Sequence, residues 1–277
     1  MAFYFGNALK RRLALERLAL PNELKIGHLI AGFLLPGLAV YLRGPRLWGR
    51  VALAAGALLF ASFIIWLGFP AANVAFGLLI SIHASGFVYY CNPLMAKEPF
   101  HSRLGFTFLV LLGVGLLIYM PARSLIQNRW LLPVNANGHV IVIQKNAAFH
   151  NVHRGDAVAF MTTGYSFSNH GGEGIIEGSS LNLGAVLAVA GDRVEFSAKT
   201  FLVNGVSHPN LSHMPVSGEL VVPEKHWFIW PNLAISGNWN VGEPSLSAAM
   251  LHLADVPEDQ FVGRPFQHWF GRKQIIP

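Results

Sequence analysis

At 277 residues, the chain has room for a membrane part and one further domain of about 150 residues. It is 53% hydrophobic and 12% charged, against about a quarter charged in soluble domains, and its mean hydropathy of +0.43 excludes an ordinary soluble protein. The net charge of +6 comes from cations that flank apolar runs instead of interleaving with aromatics, which argues against a nucleic-acid surface.

Residues 8–25 (ALKRRLALERLALPNELK) begin as a basic amphipathic helix carrying Leu9, Leu13, Leu18 and Leu20. A solvated cap and a helix lying in the membrane interface both fit this pattern. The first 20 residues carry charges throughout and no small-residue cleavage site, so no cleavable signal peptide is expected. Residues 27–42 (GHLIAGFLLPGLAVYL) are apolar but short for a span, with Pro36-Gly37 inside and Arg43, Arg46 and Arg50 just beyond. Basic residues on both sides of a span oppose the positive-inside rule. A re-entrant or interfacial hairpin with both ends cytoplasmic is therefore expected. Full spans are expected over 51–67, 73–90 and 104–120, joined by an uncharged turn and by a loop carrying Lys97 and Arg103. Three spans from a cytoplasmic start divide the chain into a membrane domain, 1–121, and an extracytoplasmic domain, 122–277. His83 falls inside the second span, where an ionisable group is a functional candidate. No acid stands in the neighbouring spans, so a neutral histidine hydrogen-bonded between helices is the expectation. Cys91, alone, excludes an internal disulfide and a cysteine-rich metal site.

Beyond residue 121 the pattern changes to short strand-like runs near 140–143, 157–161, 185–189, 193–196, 201–203, 220–222 and 227–230, separated by Gly, Asn and Pro. Such spacing predicts a β-barrel or sandwich-like domain. Gly191-Asp192 and Asn204-Gly205 are turn signals, and Val194 and Phe196 share one face of the strand between them. Residues 164–182, rich in Gly and Ser, read as a mobile loop, and 244–253 as a helix.

Four stretches of this second part, in order, carry a resemblance: RGDAVAF (154–160), GAVLAVAGDRVEFSAKTFLVNGV (184–206), VPEKHWF (222–228) and VPEDQFVG (256–263). Together, behind membrane spans, they resemble type I signal peptidases of the S26 family, multi-span bacterial members above all. The resemblance implies a multi-span helical membrane region followed by the signal peptidase-like, mainly β domain, in a bacterial inner membrane. It also implies a serine nucleophile activated by a neutral lysine. The family's spacing puts that serine at Ala147, or at Lys145 if two residues are inserted, and the lysine at Gly184. The family's later acid- and arginine-bearing box falls on PNLAISGNWN, where Ser236 is its one hydroxyl. All three elements are missing while the strands between them remain legible, which implies a pseudoprotease with no catalytic residues of the family's kind.

Two functions follow. One is an inactive, membrane-anchored protein that binds an extracytoplasmic peptide segment or serves as an accessory subunit of a membrane complex. The alternative is an active, divergent serine endopeptidase processing exported proteins, with Ser179, Ser180 or Ser236 as nucleophile. Peptide recognition by strand addition makes Val140, Ile141, Val142 and Ile143 a candidate edge strand. Trp227, Trp230, Trp239, Trp269 and Phe270 are candidate membrane-interface aromatics, lipid being the second expected partner. His150, His153, His208 and His213 match no zinc spacing, and no cofactor or metal is expected.

Overall fold

A computed structural model describes residues 24–136, 138–162, 165–169, 172–176, 180–231 and 243–275. It divides into two compact units, Met1–Leu125 and Ile126–Pro277. The first is helical with three apolar candidate spans and the second is mainly β, in line with the sequence pattern.

The helical unit opens with α1 (Ile26–Leu34) and α2 (Leu38–Arg43), followed by α3 (Arg46–Ile65) and α4 (Pro70–Met95). A last helix, Phe100–Arg129, runs as α5 (Phe100–Val114), a π-helical turn (Gly115–Tyr119) and α6 (Met120–Arg129). The helices α3, α4 and Phe100–Arg129 are each long and apolar enough to cross a membrane. Twenty residues at about 1.5 Å each cover the roughly 30 Å of a hydrocarbon core. These helices begin before the apolar windows of the sequence, because Arg46, Arg50 and Arg103 continue them beyond the apolar run. Pro70, at the start of α4, gives up an N–H that no helix would use.

Between α1 and α2 the chain reverses. A Cβ built on Gly32 would stand 3.1 Å from the Ala39 Cβ, a proximity that a continuous helix forbids at that separation. Gly37 makes the turn with φ +81°, a left-handed conformation that costs other residues energy. Its Cα lies so close to α3 that an added Cβ would meet Leu53 N at 2.6 Å. The tip of this helical hairpin therefore rests near the middle of α3, and its two ends return to one place, where Leu24 packs with Ala39, Tyr90 and Cys91.

The β unit contains a five-stranded antiparallel sheet in the order β1-β2-β14-β3-β6: β1 (Leu131–Ala136), β2 (His139–Gln144), β14 (Phe261–Pro265), β3 (Ala157–Thr162) and β6 (Ser180–Ala185). A four-stranded sheet runs β10 (Val206–Pro209), β9 (Thr200–Val203), β8 (Arg193–Phe196), β11 (Gly218–Val221). A three-stranded sheet runs β13 (Asp255–Pro257), β12 (His226–Phe228), β7 (Ala188–Val189). Hairpins β4 (Tyr165–Asn169)/β5 (Gly172–Ile176) and β15 (His268–Trp269)/β16 (Arg272–Lys273), with helix α7 (Glu243–Ala254), complete it.

The turn chemistry acts where the sequence placed it. Asn204 and Gly205 have φ of 49° and 82° in a two-residue hairpin that sets Val203 opposite Val206. Val194 and Phe196 are both buried, packing with Phe201, Val203 and Phe228. The expected loop over 164–182 needs correction. Tyr165–Asn169 pairs with Gly172–Ile176, and Ser180 already belongs to β6. Gly and Ser set the composition there, but they do not prevent main-chain pairing.

Candidate functional site

The site implied by the four stretches lies along β6 and the loop after β2. Gly184 is buried and pairs with Val158 of β3. A Cβ built on Gly184 would stand 2.6 Å from Ile229 Cγ2, and Ile229 is fully buried. That methyl branches directly from Cβ and cannot swing away as the end of a long side chain could. The position thus has no room for a lysine. In the β2 loop, the Lys145 N–H donates to the Trp130 carbonyl (2.9 Å), and Lys145 and Ala147 are half-buried. Just beyond, the Phe149 ring stacks on Trp227 with centroids 4.0 Å apart. At Gly184, where the resemblance implies a base, the chain offers only apolar packing, and at Lys145 and Ala147, where it implies a nucleophile, it offers no hydroxyl.

Hydroxyls do gather elsewhere on the β3–β6 ladder. Thr162 Oγ1 lies 2.9 Å from Ser180 Oγ, and Asn182 Nδ2 donates to both, at 2.8 and 3.0 Å. Thr162 also lines a cavity of about 280 Å³ with His226, His252, Asp255 and Gln260. His226 Nδ1 sits 2.8 Å from the Glu224 carbonyl, which can only accept, so Nδ1 carries a proton there. Among the described residues no three His, Cys, Asp or Glu side chains converge as metal ligands. Ser179, Ser236, His170 and Trp239 lie outside the described residues.

The candidate edge strand is corrected. Val140–Ile143 belongs to β2, which has β1 on one side and β14 on the other. Its Val142 N–H donates to the Gln274 side chain (2.6 Å) and its Val142 carbonyl accepts from Phe266 N–H (3.1 Å), while Ile141, Val142 and Ile143 are buried. Arg264 and Pro265 of β14, with Phe266 and Gln274 beyond it, take the place a peptide would need beside Val142, Ile143 and Gln144. Among the described residues, the edges of this sheet are β1 and β6. Pro133, which has no N–H, lies on β1 and makes that edge a poor partner. On β6 the ladder alternation turns the main-chain groups of Leu181 and Leu183 away from β3.

Three of the candidate interface aromatics are also corrected. Trp227, Trp230 and Trp269 are buried in the β unit. Trp227 lies between Phe149 and Phe261, and Trp230 Nε1 donates to the Ser212 carbonyl (2.9 Å). Phe270 is exposed, at the tip of the β15–β16 hairpin with φ +46°.

Two polar centres stand apart from this ladder. In the β unit, the Asp192 carboxylate accepts from Arg154 Nε (2.6 Å) and Nη2, from Val189 N–H (2.8 Å) and from Asn204 Nδ2 (3.0 Å). Burial pushes this carboxyl up, but those hydrogen bonds and the guanidinium charge outweigh it and hold the group below the ordinary carboxylate range. Asp192 thereby joins three turns, those before β3, before β8 and between β9 and β10.

In the helical unit, His83 is buried. Its Nε2 lies 3.1 Å from the Gly32 carbonyl and its Nδ1 3.0 Å from the Tyr119 hydroxyl, in the π-helical turn. A continuous α1 would meet the Gly32 carbonyl with the N–H of residue 36, but residue 36 is proline and has none. His83 supplies that missing donor. With no acid in the spans the ring is neutral, so Nε2 carries the proton and Nδ1 accepts from Tyr119. Pro36, four residues past Gly32 in an apolar run, was a sequence signal that some other side chain must serve this carbonyl. The signal did not say which.

No family model matches the chain, and no curated protein matches it.

Proposed function

We propose that this chain is a catalytically inactive, signal peptidase-like protein of a bacterial inner membrane, whose extracytoplasmic β unit binds an extended peptide segment of a membrane-protein partner. The observation that carries this is Gly184, where Ile229 fills the space that a lysine base needs. The outward-facing main chain at Leu181 and Leu183 gives an extended segment a ladder to join, and that recognition needs no nucleophile. The test is capture from detergent-solubilised native membranes with the full-length chain as bait. Co-purification of one partner in equal amount, lost on Leu183→Pro at this edge, is the expected result. No stable partner, together with shortened N-termini of exported proteins only when the chain is present, would overturn it.

The alternative, an active divergent endopeptidase, draws on the Thr162–Ser180 hydroxyl pair and the neighbouring cavity with its two histidines and Asp255. It requires that Ser180→Ala abolish any such processing.

A further inference from the structure

Most of the described charge of the membrane unit lies at one end, with Arg123, 5.6 Å over the Phe76 ring, at the other. Phe63, near the end of α3, packs on Phe76, near the start of α4, with centroids 4.8 Å apart. Phe76 in turn meets Tyr119 at 5.6 Å. At the opposite end, Arg43 Nη1 donates to the Tyr90 carbonyl (2.6 Å), and the Tyr89 ring comes within 3.6 Å of where a Gly44 Cβ would stand. The starts of α3 and α5, the end of α4 and both ends of the helical hairpin therefore share this second end. Among the described residues it holds Lys25, Arg43, Arg46, Arg50, Lys97 and Arg103 against one acid, Glu98. The loop between α3 and α4, at the first end, carries no charge.

The hairpin is what concentrates the charge. Had residues 27–42 crossed as a span, Lys25 and Arg43 would lie on opposite faces. Arg43 and Arg103 are engaged by main-chain carbonyls of the same end, Tyr90, Ala96 and Glu98. Lys25, Arg46, Arg50 and Lys97 are exposed, with no acidic partner among the described residues. Tyr41, Trp48 and Tyr89 are exposed beside them, as in the aromatic belts found at headgroup depth.

The structure assigns this end as a docking surface for anionic phospholipid headgroups. Charge complementarity selects the occupant: exposed cations lie where the apolar helices end, at the level of phosphate groups, and interfacial aromatics flank them. A zwitterionic headgroup offers no net charge to these cations, and a free anion makes no use of the aromatics.

The test uses the full-length chain purified in detergent and offered equal phosphatidylglycerol and phosphatidylcholine, with bound lipid read by native mass spectrometry. Wild type is expected to retain phosphatidylglycerol at least tenfold over phosphatidylcholine, and inorganic phosphate is expected not to displace it. Arg46→Gln, Arg50→Gln and Lys97→Gln are each expected to lower the preference by about fivefold. A triple Arg46→Lys, Arg50→Lys, Lys97→Arg variant should keep it, and unchanged circular dichroism keeps the readout apart from folding. Equal retention of the two lipids by wild type, an unchanged preference in the glutamine variants, or displacement by inorganic phosphate would each overturn the assignment.

Discussion

Two turns, one in each unit, meet the same requirement in different surroundings. Both reverse the chain at a left-handed glycine, Gly37 between α1 and α2 and Gly191 before β8. In the β unit, water is near and charge is tolerated, so a carboxylate can organise the turn. Asp192 takes a guanidinium, a main-chain N–H and an amide at once. In the helical unit, no charge is spent on the turn. A neutral histidine meets the freed carbonyl, a tyrosine hydroxyl donates to that histidine, and close backbone packing does the rest. The difference follows from the cost of burying charge, which is several kcal/mol per ion in an apolar medium, against about 1 kcal/mol net for a neutral hydrogen bond.

That contrast is sharpest if the membrane turn tolerates less change. Gly37→Val has the largest expected effect. It forces both a left-handed φ and a clash with the Ala52–Leu53 backbone, and should cost the full-length chain about 3 kcal/mol or more in detergent unfolding. His83→Leu comes next, at about 2 kcal/mol, because the Gly32 carbonyl is left buried without a donor. His83→Gln should recover part of this through its amide donor, and nitrogen NMR of the wild-type ring should show the Nε2–H tautomer. Equal stability of the leucine and wild-type chains would break the comparison, since the turn would then need no cap.

The β-unit turn should answer to pH instead. Asp192 has a folded pKa below its unfolded one. Its contribution is therefore complete above the unfolded value, about pH 4, and is lost as pH falls through the folded value. Asp192→Asn should cost about 1–2 kcal/mol at pH 7, a figure reduced because Arg154 is 45% exposed, and the cost should shrink in acid. Urea unfolding at pH 7 and pH 3 separates the two conditions, and a pH-independent difference would remove the charge from the account. Phe270→Ala carries the smallest expected effect, within about 0.5 kcal/mol, since the ring is exposed. Thermal unfolding in detergent measures it.

What the sequence made legible was what local chemistry controls. Apolar runs bounded by arginine marked the long helices, and Gly191-Asp192 and Asn204-Gly205 marked real turns, because those signals act through neighbours in the chain. Pairing between distant segments was not legible. β14 lies between β2 and β3, which turns the expected edge at Val140–Ile143 into an inner strand. The tryptophans misled for a related reason. Their amphipathic rings suit an interface, but Trp227 and Trp230 stand on faces that other elements cover, and no local pattern records the cover. At the candidate site, the glycine at position 184, where the resemblance implies a lysine, was visible as a letter. The lack of space for a lysine there needed Ile229, which comes from the strand region after β12.

The reversal at Pro36-Gly37 also has a mechanical consequence. Three helices are each long and apolar enough to pass through both leaflets of a bilayer, whereas α1 and α2 turn back near the middle of α3. Set in a bilayer that way, the described helices would fill five helical cross-sections in one leaflet and three in the other. Fewer lipids would then fit beside it on the side of Lys25 and Arg43. The two monolayers would come under unequal lateral tension around each copy, and a membrane bowed outward on that side would relieve it.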